Sequence, residues 1–98
     1  MLFVAVCTDK PGALERRLAV RPKHLEWITA QGAKLKLGGP MMDAEGRTAG
    51  SLFLWEGDSR DEVEALAAQD PYMQAGIFES VVLRPFRIVM QDGRQVGA

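Results

Sequence analysis

Apolar and polar positions along the chain change period several times, and each change marks an element. Leu2 to Thr8 is rich in Val and Phe and is bounded by Asp9-Lys10-Pro11-Gly12, the pattern of a buried strand. From Ala13 to about Gln31 the apolar residues Leu14, Leu18, Leu25 and Ile28 recur at helical spacing. Pro22 lacks an amide proton and disfavours helical geometry at Arg21, so two helical pieces are predicted, the second starting near Pro22 and ending at Gly32. Ala33 to Leu37 is a second strand, which Gly38-Gly39-Pro40 is expected to end. After a turn at Asp43 to Arg47, the alternation over Gly50 to Trp55 predicts a third strand, paired with the second as a hairpin.

Ser59-Arg60-Asp61-Glu62 has the form of a capping box, opening a helix with Val63, Leu66 and Ala67 on one face. That helix is expected to stop at Asp70, because Pro71 follows. Tyr72 to Gly76 predicts a helical turn, and Phe78 to Met90 one long strand bent at Pro85, on a sheet edge or at a bulge. Residues 1–90 therefore read as one domain, and the polar, glycine-containing residues 91–98 as a frayed tail.

Strand, helix, strand, strand, helix, strand is the split βαβ order of an α+β, ferredoxin-like sandwich with both helices on one face of an antiparallel sheet. Residues of both parities are apolar in Leu52-Phe53-Leu54-Trp55, so the other face also needs a cover. A second copy packed sheet to sheet is the expected partner, and a chain of 98 residues, with a thin core, gains from such association.

Twelve Lys and Arg against 13 Asp and Glu, with no basic cluster interleaved with aromatics, argue against a nucleic-acid partner. The apolar start, Met1 to Cys7, is short and lacks a basic lead or cleavage site, and no run approaches the roughly 20 apolar residues of a membrane span. A cytoplasmic protein without a membrane partner is the expectation. One cysteine, Cys7, excludes an internal disulfide and a thiolate-rich zinc site, and with one histidine no metal site is read from the sequence. No phosphate loop, nucleophile elbow or dinucleotide fingerprint is present, so no cofactor is expected.

His24, at the edge of a helix face otherwise set for burial, and Asp70, in Asp70-Pro71-Tyr72, remain as the candidate acid–base pair. An imidazole can exchange a proton near neutral pH, and a carboxylate beside it orients the ring and stabilises the imidazolium. Each also has an ordinary reading: a histidine satisfied by backbone or water, and an aspartate that starts a turn before proline. Tyr72 and Arg21 are candidate substrate contacts, as is the Gly39-Pro40-Met41 corner, where a side-chain-free backbone admits close approach.

Arg21-Pro22-Lys23-His24-Leu25, Gly39-Pro40-Met41, Asp70-Pro71-Tyr72 with Ala75-Gly76, and the Val81 to Phe86 segment together resemble the YciI family (YCII-related domain) through about Met90. The resemblance implies a dimeric α+β barrel and an active-site histidine and aspartate, which fall on His24 and Asp70. It also implies proton-transfer chemistry on a small, aromatic or enol-bearing molecule, since a YciI-like domain is associated with dehydrochlorination of a chlorinated hydroxyquinol. Three readings stay open at this point. One is a cofactor-independent lyase or isomerase using the pair; another is a small-molecule-binding or regulatory module using the same pocket without chemistry; the third is a purely structural dimer, with His24 buried against backbone and no cavity beside it.

Overall fold

The computed structural model describes all 98 residues. Its elements are β1 (Leu2–Asp9), α1 (Leu14–Ala30), β2 (Leu35–Met42), β3 (Thr48–Glu56), α2 (Arg60–Ala67), α3 (Pro71–Gln74), β4 (Phe78–Phe86), β5 (Met90–Gln91) and β6 (Arg94–Gln95). The four long strands form one antiparallel sheet in the order β2-β3-β1-β4. This is the ferredoxin-like α+β fold read from the sequence.

Strand alternation sorts the side chains into two faces. Phe3 opposite Trp55, and Ala5 opposite Phe53 and Leu83, form rows on the helix side. Ile28 of α1 and Val63 of α2 close over them to complete the core. The opposite face carries Val4, Val6, Leu52 and Leu54 at its centre. Leu54 at that centre is buried, while Leu37, Val82 and Phe86 on its flanks are exposed.

Several expectations change. Helix α1 is continuous through Pro22 instead of breaking into two pieces. A proline inside a helix loses one hydrogen bond, and packing of the Arg17, His24 and Ile28 face against the sheet outweighs that loss. Gly38-Gly39-Pro40 lies inside β2 rather than ending it, which an edge strand tolerates because Pro40 need not donate to a second neighbour. Strand β4 stops at Phe86, and the expected frayed tail instead folds into the β5–β6 hairpin. Asp92 and Gly93 take φ of 53° and 76°, the positive values that a two-residue Asp-Gly hairpin turn requires. Pro85 sits on edge strand β4, as its missing amide demands.

Ser59 caps α2 by accepting from the Glu62 amide at 3.2 Å, while the Glu62 carboxylate accepts from the Asp58 amide at 2.9 Å. Helix α2 ends at Ala67, three residues before the predicted stop, and Asp70 caps α3 instead.

Candidate active site

One face of α1 supplies most of the site. Arg17, Arg21, His24 and Ile28 follow one another at steps of four, three and four residues, so they share a stripe facing the sheet and β2. Between that stripe and the Gly38-Gly39-Pro40 stretch of edge strand β2 lies a cleft of about 380 Å³. That volume is in the range of about 300–1,000 Å³ common for small-molecule sites. Gly38 is required in its wall. A Cβ there would lie 2.9 Å from Cδ1 of Phe53, whose buried ring also lines the cleft.

The helix α1 and the turn before α3 bring the two candidate residues together. The Nδ1–H of His24 donates to Oδ1 of Asp70 at 2.8 Å, with both residues buried. The same oxygen accepts from the Tyr72 amide at 2.9 Å, so the cap of α3 also aims the carboxylate at the ring. A proton held on Nδ1 by a carboxylate leaves Nε2 as the free base, and Nε2 takes no hydrogen bond within the protein while His24 lines the cleft.

Tyr72 stacks on His24 with centroids 3.9 Å apart and planes 12° apart, and the Arg17 guanidinium carbon lies 4.6 Å from the same ring's centroid. Arg17 and His24 are two helical turns apart, about 10 Å along the axis, so the tyrosine ring is wedged between them. Burial pushes the Tyr72 phenol up, a shift that the nearby Arg17 and Arg21 charges partly offset. The phenol is therefore neutral and a hydrogen-bond donor at physiological pH.

Arg21 stands exposed on the cleft wall, and Gly39 and Pro40 line it from β2. Met41, expected beside them, does not line the cleft. It pairs with Gly50, and strand alternation turns it to the opposite sheet face.

A second buried cluster escaped the sequence reading. Nη1 of Arg17 donates to both carboxylate oxygens of Asp9, at 3.0 and 3.2 Å, and Nη2 donates to Oγ of Ser51 at 2.6 Å. Arg17 is 6% exposed and Ser51 1%. Burial raises Asp9, and the Arg17 charge and hydrogen bonds pull it only partly back. The spacing of seven between Arg17 and His24 was the available signal, because it places both on one helix face. Asp9 and Ser51 carried no such signal, since their strands meet α1 only after folding.

The ionisable lining of the cleft is Arg17, Arg21, His24 and Tyr72, with no carboxylate facing it. Asp9 and Asp70 stand behind, each bonded to a lining group. No three His, Cys, Asp or Glu side chains converge anywhere in the fold.

The sequence profile of the YCII-related domain matches residues 1–87. The chain belongs to the YCII-related domain family. Among its relatives, Protein YciI of Escherichia coli O6:H1 is 35% identical over 97 residues, spanning 91% of this chain and 99% of that protein. An uncharacterized protein of Haemophilus influenzae is 34% identical over the same shares. A solved structure of 5-chloro-2-hydroxyhydroquinone dehydrochlorinase from Burkholderia phenoliruptrix, in complex with 2,5-dihydroxybenzoquinone, superposes with a TM-score of 0.83. It is 30% identical, and the match covers 89% of this chain and 94% of that one. An antibiotic biosynthesis monooxygenase shares the fold at a TM-score of 0.52 and 18% identity, over 90% of this chain and all of that one. No helix of this YCII-related domain is long and apolar enough to cross a membrane.

Proposed function

We propose that the chain is a cofactor-independent enzyme that moves a proton on a small, oxygenated planar molecule, with His24 as the base and Asp70 as its support. The contact at 2.8 Å between their side chains, at the wall of an open cleft, carries this reading. Nε2 of His24 takes a proton from a hydroxyl, or from a carbon beside a carbonyl, while Asp70 balances the charge of the imidazolium. The proton then returns to another atom of the substrate in an isomerisation, or departs with a leaving anion in an elimination. Arg21, Tyr72 and the Gly39-Pro40 backbone are assigned to substrate contact, the arginine favouring an anionic oxygen.

The dehydrochlorinase likeness supplies the first substrate to try. Chloride release from 5-chloro-2-hydroxyhydroquinone is expected to be catalysed by the wild-type chain and lost in His24→Gln. Binding of this compound or of 2,5-dihydroxybenzoquinone with no turnover on long incubation, there or on related hydroxylated quinones, would replace catalysis with a binding or regulatory role. A homodimer joined through the Val4, Val6, Leu52, Leu54 face belongs to the same proposal, because Leu37, Val82 and Phe86 on that face are exposed apolar side chains.

A further inference from the structure

The buried Arg17-Asp9-Ser51 cluster is not explained by holding the fold together. A buried ion pair is weak evidence for stability, because desolvating two charges offsets most of their attraction. In this one the burial of Asp9 outweighs what Arg17 returns. Its geometry does something more specific. By donating to Oγ at 2.6 Å, Arg17 occupies the acceptor side of the Ser51 hydroxyl, so the Ser51 proton must point elsewhere. That proton has no acceptor in the protein, although Ser51 is 99% buried, and Ser51 lines the cleft. A buried hydroxyl hydrogen without a partner is unfavourable unless a bound group accepts it.

We infer that Ser51, oriented by Arg17, is a second recognition point of the cleft, donating to a carbonyl or anionic oxygen of the substrate remote from the one that meets His24. The inference rests on the proton-transfer reading and narrows its substrate class to planar molecules bearing oxygen on two sides of the ring. Arg17 is a positioning residue, and its charge, held at the same oxygen, strengthens the donor for an anionic acceptor. Asp9 fixes the guanidinium from behind and keeps the cluster neutral.

The test compares 2,5-dihydroxybenzoquinone, with oxygens around the ring, with phenol, which has one, on the full chain by calorimetric titration. Ser51→Ala is expected to weaken the quinone about tenfold, the loss of one directed hydrogen bond, and to leave phenol within about twofold. Ser51→Cys keeps the volume with a much weaker donor, and it gives an independent reading should the alanine variant melt early. Equal quinone affinity in wild type and both variants overturns the inference while the His24 reading stands, as does an equal loss for both ligands. A wild-type chain that binds neither ring overturns the reading of the substrate class and the inference with it.

Discussion

Asp70 holds His24 through the same oxygen that caps α3, Oδ1, at 2.8 Å from Nδ1 and 2.9 Å from the Tyr72 amide. One atom therefore couples a local helix start to a contact across 46 positions of sequence. The coupling separates two effects that mutation can measure apart.

Asp70→Asn retains an amide oxygen able to cap α3 but removes the charge opposite the imidazole. Turnover should fall while the melting temperature stays close to wild type. Asp70→Ala removes both roles and should be less stable than Asp70→Asn by about 1 kcal/mol, the usual worth of an N-cap. His24→Gln, which preserves most of the packed volume against Tyr72 and Phe53, should lower turnover by about 10²- to 10⁴-fold. Asn and Ala variants that melt together would remove the capping role.

Cys7 lies 3% exposed in β1, and burial, with the nearby Asp70 and Asp9 charges, pushes its thiol from 9.0 up to about 12. The native chain should therefore resist alkylation at pH 8 and react once unfolded, so labelling by iodoacetamide reports opening of the fold. Because the native form holds the proton more tightly than the unfolded one, the contribution of Cys7 to stability is whole below pH 9. It is lost between pH 9 and about 12, by up to about 1.4 kcal/mol per pH unit. Denaturant titrations at pH 8 and 10 of wild type and Cys7→Ala should show a shallower alkaline decline in the variant.

Val82 is 45% exposed and pairs with Val6 on the sheet face turned away from the helices. Val82→Arg should convert the expected homodimer to a monomer, because a sheet interface buries that position in both copies. Light scattering coupled to size exclusion reads the result directly. A wild-type chain that is a stable monomer at micromolar concentration rules the dimer out.

Pro22 lies in the interior of α1 and cannot donate to the carbonyl four residues back. Pro22→Ala restores that donor, and with proline about 3 kcal/mol less favourable than alanine inside a helix, the variant should gain stability by a sizeable part of that figure. Thermal unfolding followed by circular dichroism tests it. Loss of activity alongside the gain would place the proline among the features that shape the cleft, since Arg21 and His24 flank it closely.

Local chemistry was enough to read the order of strands and helices and the Ser59 cap, while the split βαβ topology and the family resemblance marked His24 and Asp70 as residues worth pairing. Valine-rich alternation, a capping serine and an aspartate before proline all act on their neighbours in the chain. Two local signs misled. Pro22 looked like a helix start and Gly38-Gly39 like a strand end, because the packing that keeps α1 and β2 regular comes from residues far away in sequence. The Asp92-Gly93 turn was a local signal that the expectation of a frayed tail passed over.

Sequence by itself determined the order of the four long strands and the helices between them, and the presence of an imidazole and a carboxylate suited to each other. Tertiary structure alone decided that Asp9 and Ser51, from two neighbouring strands, meet Arg17 beneath α1, that Tyr72 wedges between Arg17 and His24, and that Met41 turns away from the cleft. The reason is register. Whether a strand residue faces the helices depends on its pairing partner, and one residue of slip would send Ser51 to the other side of the sheet.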